Sequence, residues 1–254
     1  MRLILRILQL FYSIYAMLVF LVFMFLMLPF VVLTSFFSAR TQSSIIYFLA
    51  TLWADGAMLF WGIWHKNIYE APDDIKNPYV FVFNHISYID IPILLKALRK
   101  HPIRVLGKAE ISAIPLFGFI YKRAVIMVKR TDAADRAKSI AALKAALEQN
   151  ISIVIAPEGT FNMSNKPLAA FYDGAFKIAI ETQTPIKPVL FLDAYDRLHY
   201  NSVFSFTPGK SRAVFLKEIA VENYTLADLP VLKQQVYSIM EEALIRYKVT
   251  WINS

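Results

Sequence analysis

Residues 7–39 carry no charged side chain, and that run limits the folds open to the chain more than any other feature. A hydrocarbon core about 30 Å thick is crossed by roughly 20 helical residues at about 1.5 Å each, so the run can span a bilayer. Arg2 and Arg6 form a basic front like that of a cleaved signal peptide, but the run far exceeds an h-region of about 7–15 residues. A retained anchor is therefore expected. Pro29 falls inside the run, and a second apolar stretch, residues 45–64, holds Asp55 and Gly56. Two arrangements stay open: one crossing helix, or two helices sunk into a single leaflet. Residues 1–65 are read as the anchor and residues 66–254 as a following domain.

Residues 66–78 are polar, with Pro72, Asp73, Asp74, Lys76 and Asn77, and read as a linker or first turn. Beyond them, short apolar runs rich in β-branched and aromatic residues (79–83, 105–106, 124–128, 151–155) alternate with longer patterns at 89–98, 114–121 and 133–147. Thr131 and Asp132 offer an N-cap to the alanine-rich segment 133–147, the clearest helix of the chain. Residues 174–182 and 229–247 read as further helices, 186–192 and 212–216 as strands. The alternation argues for α/β: a mixed sheet flanked by helices, preceded by an N-terminal hydrophobic helical membrane anchor.

The formal charge of +8 is unevenly placed. Between residues 96 and 130 lie Lys96, Arg99, Lys100, Arg104, Lys108, Lys122, Arg123, Lys129 and Arg130, opposed only by Glu110. Such a segment suits an anionic partner. Lipid headgroups attract juxtamembrane bases by about 1 kcal/mol each, and phosphates or nucleic acid are drawn by the same physics. With an anchor next door, membrane lipids are the simpler partner; aromatics cluster in the anchor and no nucleic-acid module is visible, so no nucleic acid is expected. Cysteine is absent, which excludes disulfides, a thiolate nucleophile and cysteine metal sites.

Asn84-His85-Ile86-Ser87-Tyr88-Ile89-Asp90 follows directly on the run 79–83, at a strand's carboxyl end, where α/β folds place catalytic groups. An imidazole with an unperturbed pKa near 6.5 can take a proton from an alcohol, and a carboxylate on its other nitrogen would fix the tautomer. On one continuous helix, His85 and Asp90 would sit about 140° apart. A helix must therefore begin between them, which Ser87 as N-cap and Pro92 near a helix start support. Ala156-Pro157-Glu158-Gly159-Thr160 follows the run 151–155 in the same way. There Gly159 lets backbone approach a ligand, Thr160 supplies a hydroxyl, and Glu158 either bonds substrate or holds the loop.

Taken with two more blocks in order, these motifs resemble the 1-acylglycerol-3-phosphate acyltransferases of the HxxxxD glycerolipid acyltransferase superfamily. The first block is Asn84-His85 through Asp90, with Ser87 in its usual place. The second is Ala124 to Val128 followed by Lys129 and Arg130, the third is Pro157-Glu158-Gly159-Thr160, and the fourth is Thr184-Pro185-Ile186-Lys187-Pro188-Val189. Lys108 with Glu110, the segment 171–176 and Pro208-Gly209-Lys210 look similar too, so that the likeness covers roughly residues 75–220.

The resemblance implies that His85 deprotonates a lysophospholipid hydroxyl while Asp90 orients it, the oxygen attacking a thioester of acyl carrier protein or coenzyme A. It gives the acceptor site to Arg130, Lys129, Lys108, Glu158, Gly159, Thr160 and Ser87, and the acyl side to Pro185 and Pro188. It needs no cofactor and no metal. It implies a membrane location, inner or plasma membrane, with residues 66–254 catalytic and on the cytoplasmic side where thioesters reside; Arg2, Arg6 and Arg40 do not decide orientation. Two departures stand out: Phe161 and Asn162 occupy the places where the third block usually continues with arginine and serine, and Ala124 replaces the usual glycine. The expected acceptor is lysophosphatidic acid; glycerol 3-phosphate, a lyso-aminolipid or another lysophospholipid are the alternatives, and a non-catalytic lipid-binding protein is the reading from a different class.

Overall fold

The computed structural model describes residues 2–129 and 131–253, without the side chains of Arg2, Ala39, Arg40 and Asn253. The chain opens with an antiparallel helical hairpin, α1 (Arg2–Leu33) and α2 (Ala39–Phe60). The Ser38 hydroxyl caps α2 by accepting the Thr41 N–H. Gly56 is where the two helices close: a Cβ there would fall 2.2 Å from the Phe23 ring, so only glycine admits this approach. Farther along, Trp61 Nε1 donates to the Ala16 carbonyl at 2.9 Å and Phe20 meets Trp53 edge to face. Segments Leu3–Phe36 and Thr41–Phe60 are each long and apolar enough to cross a membrane. Leu5, Leu8, Phe11, Phe25 and Phe30 of α1 face outward, an arrangement suited to a lipid phase rather than to water.

From there the chain runs β1 (Ile63–Tyr69), β2 (Val80–Phe83), α3 (Asp90–Ala97), β3 (Ile103–Lys108), α4 (Phe117–Ala124), β4 (Val125–Val128), α5 (Ala133–Glu148) and β5 (Ser152–Ile155). It continues through α6 (Gly174–Thr182), β6 (Ile186–Phe191), the single turn α7 (Ala194–Arg197), β7 (Gly209–Phe215) and α8 (Leu229–Arg246). The seven strands form one mixed sheet in the order β1-β7-β6-β2-β5-β3-β4, parallel except for the β6–β7 pair. The mixed sheet and flanking helices agree with the architecture expected from the sequence. One reading is corrected: Lys66 to Tyr69, taken as the start of a polar linker, belong to β1, which pairs in parallel with β7.

Strands β2, β5 and β6 are buried throughout, which is why they read as continuous apolar runs. Lys187 in β6 is the exception, its ammonium compensated by Glu218 at 2.8 Å and the Pro72 carbonyl at 2.9 Å. From β2 the chain crosses through α3 to β3 on one side, and from β5 through α6 to β6 on the other. With right-handed crossovers, α3 and α6 lie on opposite faces, and the carboxyl ends of β2 and β5 flank the point where the winding reverses. A crevice opens at such a point.

Helix α2 lies against this domain. Tyr47 donates to the Leu98 carbonyl, and Asp55 pairs with Lys96 at 2.9 Å and Arg99 at 2.5 Å. Two bases of the segment read as facing an anionic partner are thus spent on joining α3 to α2. Helix α1 reaches the domain as well, through Gln9 Nε2 on the Ser205 carbonyl and the Phe206 N–H on the Ser13 hydroxyl.

Candidate active site

The segment between β2 and α3 makes a tight turn that folds Asp90 back under His85. The Asp90 N–H closes on the Ser87 carbonyl at 3.2 Å. Asp90 Oδ2 then accepts three N–H groups: His85 Nδ1 at 2.8 Å, Ile86 N at 2.8 Å and Ser87 N at 2.9 Å. Asp90 is fully buried, and among the described residues its Oδ1 has no partner. With Nδ1 committed to the carboxylate, Nε2 is the nitrogen left to act as a base. The His85 side chain keeps 21% of its surface, enough for one edge to meet a substrate.

The helix starts at Asp90 itself, with Ile89 as its cap residue and no side-chain cap. Ser87, expected as the N-cap, turns inward instead, its hydroxyl donating to the Leu198 carbonyl and accepting the Ile89 N–H. Being fully buried, it braces the turn from inside rather than facing the acceptor. Asn84 does similar work: its amide exchanges two bonds with the Phe191 backbone, at 3.1 and 2.7 Å, clamping the end of β2 to the end of β6. Sequence reasoning passed over Asn84, whose signal is a polar residue directly continuing a buried strand.

The loop after β5 is tied to His85 at both ends. Glu158 Oε1 accepts the His85 N–H at 2.8 Å while Oε2 accepts the Ala169 N–H at 2.7 Å. The Asn162 N–H donates to the His85 carbonyl at 2.8 Å. Between the two readings of Glu158, the geometry favours holding the loop, because both oxygens are taken and the residue is buried. Burial pushes its carboxyl up to about 8, against the pull of the Ala169 and His85 N–H groups. Gly159 has φ of 70°, the left-handed region that glycine enters without a Cβ penalty. Thr160 stands exposed beside it.

Phe161, within this doubly tied loop, packs its ring on His85, with centroids 4.5 Å apart and planes at 65°. Tyr88 closes edge to face on Phe161 at 4.8 Å, and Phe83 flanks His85 at 5.7 Å. The imidazole thus meets two phenyl rings.

The remaining expected residues are more scattered. Lys108 ends β3 and Lys129 follows β4, both at the catalytic edge of the sheet; β3 is two strands from β2 and β4 three, roughly 10 and 14 Å laterally at about 4.8 Å per strand. Arg130 lies outside the described residues. Pro188 pairs opposite Val82 within the sheet, and Pro185 precedes β6 at the opposite end from His85. Six residues separate Pro185 from Phe191, roughly 20 Å of strand, which places it at the far end of the sheet. Among the described residues no group of three or more His, Cys, Asp or Glu side chains could hold a metal ion.

Residues 65–192, half of the chain, match the family model described as Acyltransferase. Similar proteins include 1-acyl-sn-glycerol-3-phosphate acyltransferase beta of Homo sapiens, 26% identical over 174 residues, 68% of this chain and 62% of that one. The enzyme named 1-acyl-sn-glycerol-3-phosphate acyltransferase of Cocos nucifera is 28% identical over 152 residues, 58% of this chain and 48% of its own. That of Helicobacter pylori is 29% identical over 147 residues, 58% of this chain and 59% of its own. The matches thus span about half to three fifths of these relatives. The fold is shared with the crystal structure of the 1-acyl-sn-glycerophosphate (LPA) acyltransferase PlsC from Thermotoga maritima, with a TM-score of 0.72 at 19% identity over 99% of both chains.

Proposed function

The chain belongs to the Acyltransferase family, and from that premise we propose that it is a membrane-associated O-acyltransferase of phospholipid synthesis, moving a fatty acyl group from acyl carrier protein or coenzyme A to the free hydroxyl of lysophosphatidic acid. The observation that carries this reading is the 2.8 Å bond between His85 Nδ1 and Asp90, which fixes the Nδ1–H tautomer and leaves Nε2 outside that bond. Nε2 takes the acceptor's hydroxyl proton as its oxygen attacks the thioester carbonyl. Asp90 stabilises the imidazolium, and collapse of the tetrahedral intermediate expels the thiolate, which recovers the proton. Lys108 and Lys129 at the same edge of the sheet suit the acceptor phosphate, with Arg130 adding to them by its place in the sequence.

The seat of the hairpin supports entry from one side of a bilayer. Tyr47 and Asp55 of α2 are engaged with the α/β domain, so that stretch cannot also cross to the far leaflet. An acceptor residing in the near leaflet then meets His85 without leaving the membrane surface. A second reading, a phosphate-free lysolipid acceptor, is favoured by Phe161 standing where an arginine was expected. Purified protein in detergent, given both thioesters with lysophosphatidic acid, glycerol 3-phosphate and neutral lysolipids, decides by product mass. No acylated product from any pair sinks the reading.

A further inference from the structure

We propose that the ring wall made by Phe161 and Tyr88 is a binding surface for the hydrocarbon chain of the acceptor. This rests on His85 being the base of the reaction proposed above. A hydroxyl whose proton passes to Nε2 sits within about 3 Å of that nitrogen. The acceptor therefore lies against the imidazole, and the Phe161 ring is centred 4.5 Å from that same ring. The thioester sulfur also comes to Nε2 to recover the proton, so donor and acceptor chains are told apart by varying their lengths separately.

Phe161 offers ring surface without a donor and Tyr88 a single neutral hydroxyl, whereas a phosphate needs several donors and positive charge. Glu158 does not alter this, because its carboxyl is buried and occupied. Tyr88 is 56% exposed although it packs edge to face on Phe161, so the pair presents an open apolar step beside the catalytic nitrogen. Ile91 and Met163, on the two segments that carry those rings, are exposed as well. The wall is held rigidly: residues 158 and 162 on either side of Phe161 are bonded to the N–H and the carbonyl of His85. A rigid apolar surface recovers hydrophobic free energy without an ordering penalty.

Each methylene moved from water onto an apolar surface gains about fourfold in affinity, so a ring wall covering two or three methylenes is worth roughly 15- to 60-fold in kcat/KM between short and long acceptors dissolved in water.

The test measures kcat/KM for the protein in amphipol with acceptors bearing 4- to 10-carbon chains below their micellar concentrations, as lysophosphatidic acids and as monoacylglycerols, for the wild type, Phe161→Ala, Phe161→Leu and Tyr88→Ala, first with one thioester donor and then with donors of several chain lengths against one acceptor. Phe161→Ala should lower the ratio of kcat/KM between the longest and the shortest acceptor tenfold or more, whatever its effect on the shortest. Phe161→Leu should recover most of the loss, and Tyr88→Ala, whose exposed ring leaves the fold intact, should show the same length dependence more weakly. A loss equal at all acceptor lengths in both alanine variants overturns the proposal, as does a length dependence that follows the donor's chain and not the acceptor's. If the wild type uses only monoacylglycerols, the phosphate assignment fails while the length series still decides the chain assignment.

Discussion

Glu158 makes an unusual demand on the fold, and its substitution tests how the site is held. Its carboxyl is pushed up to about 8 by burial, against about 4.5 in the unfolded chain. The folded protein therefore holds this proton more tightly than the unfolded one. That stabilising contribution is complete below pH 4.5 and is lost as pH rises through 8. Over the practical window from pH 6 to 9 the loss integrates to roughly 2–3 kcal/mol. At about 2–4 °C per kcal/mol for a chain of this size, the midpoint of thermal unfolding should fall by roughly 5–10 °C from this group alone.

Glu158→Gln removes the titration. The amide oxygen still accepts the His85 N–H, but the amide nitrogen then faces the Ala169 N–H, donor against donor, at a pH-independent cost of about 1–3 kcal/mol. The variant should thus melt below the wild type at pH 6 and draw level with it or pass it by pH 9. Tryptophan fluorescence in detergent at a fixed scan rate reads this directly from the chain's four tryptophans. Parallel curves for the two proteins across that range would refute the account, because they would mean that Glu158 does not titrate within it.

His85→Ala should lower turnover by about 10²- to 10⁴-fold, the usual effect of losing a general base, in a thioester-consumption assay; near-normal turnover of folded protein ends the mechanism. Asp90→Asn should cost at least as much as a hundredfold in kcat with little change in KM, since an amide can hold the wrong imidazole tautomer; a change confined to KM would place Asp90 elsewhere in the cycle. Asn84→Ala leaves the Phe191 N–H and carbonyl without partners in a buried place and should destabilise by about 2–4 kcal/mol, read as a lowered unfolding midpoint.

The elements that local chemistry specifies were legible in the sequence. Helix α5 begins at Ala133 with the Asp132 side chain accepting the Ala134 and Asp135 N–H groups, the cap expected from the sequence. Segment 174–182 folds as α6 over the same residues. The juxtaposition of His85 and Asp90 follows from a single constraint, that the two not share one continuous helix but that a helix begin between them; α3 begins at Asp90 itself. Strand β1 was not legible because its reasons are remote. His65 meets Ser211, and Asn67 reaches the Ala97 carbonyl, so its polar residues are explained only by partners far along the chain. The buried roles of Ser87 and Glu158 were hidden for the same cause: Leu198 and Ala169 take their hydrogen bonds, and no local pattern announces either contact. Segment 114–121 read as one apolar run, whereas α4 starts only at Phe117, after Leu116 enters the left-handed region with φ of 60°. A leucine there is strained, and residue type alone gives no warning of it.

The anchor and the catalytic crevice are mechanically one unit, which bears on how a surface enzyme reaches a lipid. Asp55 of α2 pairs with Lys96 and Arg99, at the carboxyl end of the helix whose first residue is Asp90. The helix that lies against the hairpin thus carries the carboxylate bonded to His85. Tyr12 and Trp61 bind the two anchor helices to each other, and Gln9 and Ser13 fasten the first to residues 205 and 206. A tether that only held the domain near the membrane would leave its orientation free, and productive encounters would depend on tumbling. Here the contacts fix which edge of the sheet faces the hairpin. The orientation entropy that a lipid substrate would otherwise forfeit at each turnover is removed once, when the chain folds.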